Sequence, residues 1–390
     1  MAPKEAREER MEPLANKDGI TAEWLTDALR EGGHLPSGRV SQVEVEDIGV
    51  GRGYISQAVR VTPTYEAADG DPPASIVAKT PTFVTLPDYL RPWAAGIIET
   101  EVHWYRDASG ECPARVPVCY GGTFEDRTSY ALLLEDLGEL GTLSQTDSCP
   151  PDQAPLVVKT LAQVHAHWWE SDRLRDWAWV PTTEQQAEVS TPLVQGGWDL
   201  FAERIVPRVD PSFLPIGERL VRDWGTLFER GVASGATLIH GDFRIENFLF
   251  GERGTRDEIV ILDWQLAGYG SGLRDLGYFI GQGFEPAKRK AISDELVELY
   301  HATLVEHGVT GYSFEQCLDD YRLGLLASMF IPLIGIRGLE ALEPPPPDAS
   351  EEDHESFRQL VEAAEGLLAL MAERSITAAM DANAGEVLGL

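Results

Sequence analysis

Hydrophobic and polar residues alternate in the first part of the chain in the manner typical of β-strands. Thr21 precedes an amphipathic run that predicts an N-capped helix ending near Gly32-Gly33. Val43–Ile48 then alternates, and the segments 56–61 and 75–80 repeat the strand pattern after a glycine-rich turn and a polar loop. Because the connections are too short for crossover helices, we predict an antiparallel meander.

After residue 150, apolar residues recur at helical spacing instead. The predicted helices cover 151–169, 213–231, 289–307, 314–336 and 351–375, and one β-hairpin at 247–264 interrupts them. This change of period predicts an α+β protein with two lobes. We expect a small antiparallel β lobe at 1–137, with 1–18 as a mobile or loosely docked arm, and a larger helical lobe at 138–390.

Charge and composition narrow the classes of partner. The chain of 390 residues is 43% hydrophobic, enough for a sizeable core, and carries 64 acidic against 32 basic residues, a net charge of −32. A surface of this sign repels phosphate-rich polymers and anionic membranes. We therefore expect neither a nucleic-acid nor a membrane partner, while the oligomeric state does not follow from the sequence.

The expected compartment is the cytoplasm. The four cysteines show neither C-x-x-C spacing nor nearby histidine pairs, which argues against a disulfide scaffold or a zinc site. The first 19 residues are charged and contain no apolar stretch typical of a secretory signal. The longest apolar run, Leu323–Ile336, has 14 residues, which is too short for a bilayer, and we predict a core helix there.

One constellation of polar residues predicts phosphoryl-transfer chemistry. Asp242 follows the apolar run Thr237–Ile239, Asn247 comes five residues later, and Asp263 ends the second strand of the predicted hairpin. The loop after Asp242 lets these groups face one cavity. Magnesium prefers hard oxygen ligands and takes few of them from protein, which suits the amide of Asn247 and the carboxylate of Asp263. Asp242 then remains as the candidate base for the proton of the nucleophile.

The ordered set resembles the aminoglycoside phosphotransferase and choline kinase-like superfamily. Its members, distant relatives of protein kinases, carry the loop H-G-D-x-x-x-x-N, which His240–Asn247 matches. The stretch Leu262-Asp263-Trp264-Gln265 and the run Leu161–Trp169 lean toward the ecdysteroid kinase-like branch. The resemblance implies a bilobal protein kinase-like fold with a small antiparallel β lobe and a larger helical lobe.

The resemblance also implies roles for individual residues of the larger lobe. In such proteins the aspartate of the H-G-D loop is the catalytic base, and the asparagine and the later aspartate bind the metal. These residues match Asp242, Asn247 and Asp263. A further aspartate commonly bonds the backbone of the catalytic loop, so that His240 and Asp275 are expected to support that loop.

The nucleotide is expected to bind in the smaller lobe. Gly51 and Gly53 lie in a glycine-rich turn between two strand patterns, where backbone amides approach phosphates closely. Lys79 ends the apolar strand Ser-Ile-Val-Ala-Lys, and the resemblance implies that it binds the α- and β-phosphates. An isolated lysine on such a strand more often belongs to the solvated face. The position of Lys79 one strand after the glycine turn favours the functional interpretation.

Two further elements complete the expected nucleotide site. Glu101, in Glu-Val-His-Trp-Tyr, is the expected partner of Lys79, and Glu99 is the competitor on a different face of the same helix. The resemblance implies a hinge at Glu135 and Leu137, where the backbone carbonyl of the first and the amide of the second bind the purine base of the nucleotide. Backbone recognition of this kind does not distinguish ATP from GTP.

We therefore predict a small-molecule kinase that uses ATP and Mg²⁺ to phosphorylate a hydroxyl of a small organic acceptor, because an aspartate base suits an alcohol. An antibiotic phosphotransferase acting on an aminoglycoside or a macrolide is the first alternative. A nucleotide-binding pseudokinase is the second. The tryptophans between 168 and 198 either pack the core or line a pocket for an apolar or cationic acceptor.

Overall fold

The structure, a computed structural model, describes residues 11–48, 56–82, 91–252, 254–255, 258–340, 342 and 344–390. The chain divides into two compact units. The first is Met1–Gly141 with Val260–Leu266, and the second is Thr142–Ile259 with Ala267–Leu390. The division differs from the boundary expected at 137 and 138 chiefly because it gives Val260–Leu266, the stretch that carries Asp263, to the first unit.

A five-stranded antiparallel sheet forms the centre of the first unit. Its strands are β1 (Arg39–Ile48), β2 (Ser56–Glu66), β3 (Ile76–Pro81), β4 (Cys119–Asp126) and β5 (Ser129–Glu135). They lie in the order β1-β2-β3-β5-β4, and every neighbouring pair is antiparallel. The predicted antiparallel meander is thereby confirmed for the first three strands.

One face of this sheet is covered by helix α1 (Ala22–Glu31), whose N-terminus is capped by Thr21 as predicted. Alternate residues of the strands enter the shared core, among them Val59, Val61, Ile76, Ala78, Ala131 and Leu133. Side chains of a strand alternate between the two faces of a sheet. Lys79 follows Ala78 directly, and the alternation therefore places Lys79 on the face opposite α1.

The segment before α1 belongs to the arm at 1–18 that we predicted to be mobile or loosely docked, and the structure describes it from residue 11. In its described part the backbones of Leu14 and Tyr130 exchange two hydrogen bonds. Met11 and Leu14 are buried in the core beneath α1. Residues 11–18 are therefore docked, because two apolar side chains, invisible as a periodic pattern in so short a segment, find partners far along the chain.

The second helix of this unit, α2 (Arg91–His103), continues without a break into a π-helix at Trp104–Ala108. Glu101, Trp104 and Tyr105 are buried here. A π-helical turn widens the helix and changes which side chains share a face, and such turns are frequent at functional sites.

The second unit is mainly helical, as predicted. Its helices are α3 (Ala154–Trp168), α4 (Arg173–Asp176), α5 (Thr183–Arg204), α6 (Val206–Val209), α7 (Leu214–Arg222), α8 (Trp224–Val232), α9 (Leu273–Gln282), α10 (Pro286–Glu306), α11 (Phe314–Ala327), α12 (Phe330–Glu340) and α13 (Glu351–Asp381). The remaining strands of the chain are β6 (Gly141–Thr142), β7 (Thr237–Ile239), β8 (Phe248–Phe250), β9 (Ile259–Ile261) and β10 (Gly268–Gly270). Gly141 of β6 and the last two residues of β9 belong to the first unit.

Helix α5 was missed because its sequence contains three residues that usually interrupt helices, Pro192, Gly196 and Gly197. A capping box at Thr182 and Gln185 starts it. A Cβ at Gly197 would lie 1.9 Å from the carbonyl oxygen of Leu333 in α12. Gly197 is therefore explained by the close approach of two helix backbones, which a sequence pattern does not reveal.

The apolar stretch Phe314–Leu339 is the candidate membrane span that length and composition identify among the described residues. In the structure it forms two helices, α11 and α12, separated at Ser328-Met329. Leu326, Met329 and Leu333 are fully buried in the core of the second unit. The core position that we predicted for Leu323–Ile336 agrees with the structure, but the stretch belongs to two helices and not to one.

A pair of leucines tests this core. We expect Leu326→Ala to lower the free energy of unfolding by about 2–5 kcal/mol, because it leaves a cavity among packed helices. Leu360→Ala on α13, where the side chain is 49% exposed, is the matched control and is expected to change stability by less than about 0.5 kcal/mol. Urea unfolding followed by circular dichroism measures both, and equal losses would contradict the assignment.

Candidate active site

The catalytic loop that we predicted at His240–Asn247 begins where β7 ends. β7 pairs antiparallel with β10, with Ile239 opposite Gly268, and α9 follows β10 closely along the chain. The start of the loop and the start of α9 are therefore held near each other. Gly241 has φ of 81°, a left-handed conformation that glycine adopts without steric cost.

Asp275, in the first turn of α9, binds the backbone of the loop directly. Its carboxylate accepts the N–H of His240 at 2.6 Å and the N–H of Gly241 at 2.8 Å. His165 Nε2 lies 3.3 Å from the same carboxylate, and His165 Nδ1 lies 2.7 Å from the Tyr300 hydroxyl. These contacts agree with a supporting role for Asp275 and give His165 a structural one.

The Asp275 carboxylate is ionised although it is buried. Burial by itself raises the pKa of Asp275, but the hydrogen bond and charge of His165, together with the charge and backbone N–H of His240, outweigh burial and hold the pKa below its ordinary value. A charged acceptor forms stronger hydrogen bonds than a neutral one. Asp275 therefore fixes the first two residues of the loop firmly.

Asp242 and Asn247 meet inside the loop. Asn247 Nδ2 donates to the carbonyl oxygen of Asp242 at 2.8 Å and to Asp242 Oδ2 at 3.2 Å. Arg244 Nε donates to the same Oδ2 at 3.2 Å, and the N–H of Asp242 donates to His240 Nδ1 at 3.2 Å. Asn247 Oδ1 accepts no hydrogen bond from any described residue. The loop thus presents one oriented carboxylate and one amide oxygen available to a ligand.

Glu246, the residue before Asn247, connects the end of the loop to another segment. Its Oε1 accepts the backbone N–H of Gln145 at 3.0 Å. The Gln145 side chain donates to Gln282 of α9 at 3.1 Å. Arg374 of α13, itself buried, donates to the carbonyl oxygens of residues 145, 146, 147 and 282. Sequence reasoning missed this support because its partners are up to 229 residues apart.

Lys79 lies in a cluster of three charged side chains of the first unit. Its Nζ is 2.5 Å from Glu101 Oε1 and 3.1 Å from Asp263 Oδ1. The Lys79 side chain is 18% exposed, whereas Glu99, the competitor for the role of partner, is exposed and Glu101 is buried. The structure therefore brings together Lys79, Glu101 and Asp263, which we had singled out from separate parts of the sequence.

Burial by itself lowers the pKa of Lys79, but the charges of Asp263 and Glu101 outweigh it and raise the pKa above its ordinary range. Burial raises the pKa of Glu101 to about 7, where Lys79 opposes the shift and Asp263 adds to it. Lys79 is therefore positively charged. Two carboxylates compete for its single ammonium group.

Asp263 is held in place by its neighbours along the chain. The Trp264 ring stacks on Trp104 with a centroid distance of 4.0 Å and an interplanar angle of 7°. The N–H of Ile261 donates to the carbonyl oxygen of Arg115 at 3.0 Å. Asp263 itself has φ of 63°, a conformation rare outside glycine that the surrounding structure must enforce. The π-helix at Trp104 thus helps to place Asp263 beside Lys79.

The expected hinge lies at the end of β5. The Glu135 side chain is bound by Arg115, whose Nη2 contacts both carboxylate oxygens at 2.7 and 2.8 Å. It also accepts the N–H of Val118. The Glu135 side chain is therefore already hydrogen-bonded, so that contacts to a nucleotide base would be made by the backbone. The N–H of Leu137 donates to no acceptor in the part of the chain that the structure describes.

Two expected site residues, Gly51 and Gly53, lie outside the described residues. Among the described residues, no group of three or more His, Cys, Asp or Glu side chains is arranged to hold a metal ion. A magnesium site formed by one amide and one carboxylate, as we predict, does not require such a group, because phosphate and water supply the other ligands.

Two of the tryptophans between 168 and 198 are packed against an arginine side chain. Arg173 lies 5.5 Å from the ring centroid of Trp168 and 5.1 Å from that of Trp177. Trp177 in turn stacks on Trp179 at 5.1 Å. Of the two interpretations that we left open, this arrangement favours packing for Trp168 and Trp177, because the ring faces that would attract a cationic acceptor already contact a guanidinium group.

The fold and these groups define a kinase-like α+β protein, so that the predicted fold class is confirmed. A putative aminoglycoside phosphotransferase from Ralstonia eutropha has a similar structure, with a TM-score of 0.51 and 16% identity over 91% of this chain and 97% of that one. Choline kinase from Cryptosporidium parvum has a TM-score of 0.47 and 11% identity over 83% of this chain and 88% of that one.

The sequence comparison is more specific. The sequence model of the ecdysteroid kinase-like family matches residues 50–309, two thirds of the chain, and the chain belongs to this family. Acyl-CoA dehydrogenase family member 11 of Gallus gallus is 28% identical over 166 residues, which are 43% of this chain and 19% of that protein. The chain thus matches about a fifth of the length of this curated relative. The superfamily that we inferred from the catalytic loop, with its leaning toward the ecdysteroid kinase-like branch, is confirmed.

The contribution of the Asp275 hydrogen bonds to stability can be tested by Asp275→Asn. We expect the free energy of unfolding to fall by about 1–3 kcal/mol at neutral pH, because the amide cannot accept both backbone N–H groups as the carboxylate does. The folded pKa of Asp275 lies below its ordinary value of 3.8, so its contribution is present above 3.8 and is lost as pH falls through the folded pKa. Denaturant unfolding of both proteins between pH 7 and pH 3 measures this, and a difference that grows in acid would contradict it.

Proposed function

We propose that the protein is a magnesium-dependent small-molecule kinase that transfers the γ-phosphoryl group of ATP to a hydroxyl of a small organic acceptor. The observation that carries this proposal is the Asp242 carboxylate, bound at Oδ2 by Arg244 and Asn247 within a loop whose backbone Asp275 fixes. Membership of the ecdysteroid kinase-like family supports a small-molecule kinase in general.

Asp242 is the proposed base. As the acceptor oxygen forms its bond to the γ-phosphorus, its proton passes to the Asp242 carboxylate, and the bond from that phosphorus to the bridging oxygen of ADP breaks. Phosphoryl transfer asks little covalent chemistry of the protein and depends on positioning and electrostatic stabilisation. The bonds that orient Asp242 suit this task, because a base must be aimed at the proton that it accepts.

Lys79 is the proposed phosphate ligand of the first unit. Its ammonium group stays charged beside Glu101 and Asp263, and a charged ammonium group binds phosphate oxygens as a point charge. Glu101 orients the lysine from α2. The N–H of Leu137 and the carbonyl of Glu135 are the proposed contacts of the adenine ring of ATP. Gly51 and Gly53 are the proposed contacts of its phosphates.

Asn247 of the second unit and Asp263 of the first are the proposed magnesium ligands, each for a reason in its own surroundings. Asn247 Oδ1 accepts no hydrogen bond from any described residue. Asp263 belongs to a cluster in which two carboxylates face one ammonium group, so that additional positive charge is favourable there. When bound, Mg²⁺ neutralises phosphate charge and orients the nucleotide.

A neutral alcohol is the proposed class of acceptor. Arg173 covers the faces of Trp168 and Trp177, which weakens the case for a cationic acceptor bound by the tryptophans and with it the aminoglycoside alternative. Large hydrophobic alcohols, of steroid-like or polyketide-like structure, are the preferred candidates. The pseudokinase alternative is disfavoured because the described chain retains Lys79, Asp242, Asn247 and Asp263.

The direct test is a panel of hydroxylated acceptors with labelled ATP and Mg²⁺, in which Asp242→Asn is compared with the wild-type protein. We expect Asp242→Asn to lower turnover by about 10²–10⁴-fold, since it removes a general base of unchanged shape. Nucleotide affinity should be retained. Asp172→Asn, at a side chain that is 94% exposed, is the control and should turn over normally.

The outcomes of this panel separate the alternatives. Phosphorylation confined to aminoglycosides would favour the antibiotic kinase. Binding of Mg-ATP without turnover of any acceptor would favour the pseudokinase. Near wild-type turnover in Asp242→Asn would show that the base is another residue.

The nucleotide site has its own prediction. Lys79→Met should weaken ATP binding by about tenfold or more, because a charge-assisted phosphate contact is lost, and Asp263→Asn should weaken binding only when Mg²⁺ is present. Isothermal titration calorimetry with and without Mg²⁺ measures both, and titration with GTP tests the choice of base. Lys159→Met on the exposed side of α3 is the control. Unchanged affinity in Lys79→Met would exclude Lys79 from the site.

A further inference from the structure

Two buried oxygens, one on the proposed base and one on a tyrosine of α9, have no hydrogen-bond partner of standard geometry among the described residues. They are Asp242 Oδ1 and the hydroxyl oxygen of Tyr278. Tyr278 is 5% exposed, so water does not readily replace the missing partners. Unpaired buried polar groups cost free energy and are rare in folded proteins, and each one calls for an explanation. Here the two atoms are chemically complementary, since a phenol donates and a carboxylate accepts.

The position of Tyr278 on α9 brings it to the catalytic loop. Residues three apart on a helix lie on the same face, and Tyr278 follows Asp275 by three residues. Asp275 binds the first two residues of the loop, His240 and Gly241. Asp242 is the next residue along. After burial, the charge of Asp242 raises the pKa of Tyr278 most, and hydrogen bonding to the Asp242 side chain adds to the rise, so the two side chains lie within reach of each other.

The polar stripe of α9, defined as Asp275, Tyr278 and Gln282, therefore follows the catalytic loop along its length. Asp275 binds the start of the loop, and Gln282 reaches its end through Gln145. Both outer members of the stripe have hydrogen-bond partners. Tyr278, between them, lies within reach of Asp242, but its hydroxyl makes no hydrogen bond of standard geometry with any described residue.

The two oxygens of Asp242 differ in the same way. Oδ2 accepts hydrogen bonds from Arg244 and Asn247, whereas Oδ1 accepts none from the residues that the structure describes. A carboxylate bound through one oxygen can still turn about its Cβ–Cγ bond. A donor at Oδ1 would fix its plane and so aim the other oxygen at the acceptor.

We propose that Tyr278 is a positioning residue for Asp242, whose hydroxyl donates to Oδ1 during turnover and holds the carboxylate plane while Oδ2 receives the acceptor's proton. This rests on the proposed function, because it assigns a task only if Asp242 is the base. A purely structural tyrosine would instead have a hydroxyl bonded in the resting fold, as Tyr312 does with Asp320 Oδ2 at 2.9 Å.

The test compares Tyr278→Phe with Tyr312→Phe, which removes a buried but bonded hydroxyl from another part of the same unit. For Tyr278→Phe we expect kcat to fall by about 10- to 100-fold, because a small misplacement of a reacting group is costly. The KM values for nucleotide and acceptor should stay within about twofold, as for an interaction made only in the transition state. Its Tm should be unchanged or higher, since an unpaired polar group is removed.

For Tyr312→Phe the pattern is reversed, with a lower Tm and a retained kcat. Thermal unfolding and steady-state kinetics on the full chain measure both variants. Full kcat in Tyr278→Phe, or a drop in its Tm like that of Tyr312→Phe, would overturn the inference while wild-type turnover upholds the proposed function. Absence of turnover in the wild-type protein would overturn the proposed function and the inference with it.

Discussion

The bond between the Asp275 carboxylate and the backbone of the catalytic loop is the constraint on which the second unit's chemistry depends. A buried carboxylate is costly unless donors surround it, and here the N–H groups of His240 and Gly241 and the ring of His165 supply them. The loop cannot move without leaving that charge unpaired. The left-handed turn at Gly241 and the orientation of Asp242 both follow from this anchor.

Helix α9 extends the same support along the loop through its polar stripe. The stripe reaches Glu246 by way of Gln145, and Arg374 fixes that bridge by donating to carbonyl oxygens of two segments. A functional site is accurate when rigid elements and their hydrogen bonds hold it. Within this frame the reactive residue, Asp242, has one oxygen without a hydrogen-bond partner among the described residues, and functional sites are where local rules are expected to be broken.

In the first unit, the corresponding constraint is the mutual stabilisation of three charged side chains that are largely removed from water. The ammonium group of Lys79 stabilises Glu101 and Asp263, and the excess of carboxylate makes a site that favours cations. Asp263 reaches this cluster with a strained backbone, held by the stack of Trp264 on Trp104. The Val260–Leu266 stretch is therefore part of the first unit although the 118 residues of Thr142–Ile259 separate it from Gly141, the end of that unit's first segment.

The sequence by itself determined the strands around Lys79, most of the helices, the catalytic loop and the family, because these depend on local period and on residues close in the chain. The tertiary structure alone decided the rest. It pairs Lys79 with Glu101 rather than Glu99 and docks residues 11–18. It also brings α12 against Gly197 of α5 and places Arg173 over Trp168 and Trp177. It also placed Tyr278 and Arg374 beside the loop. Each of these depends on contacts between distant parts of the chain, and no periodic pattern records such contacts.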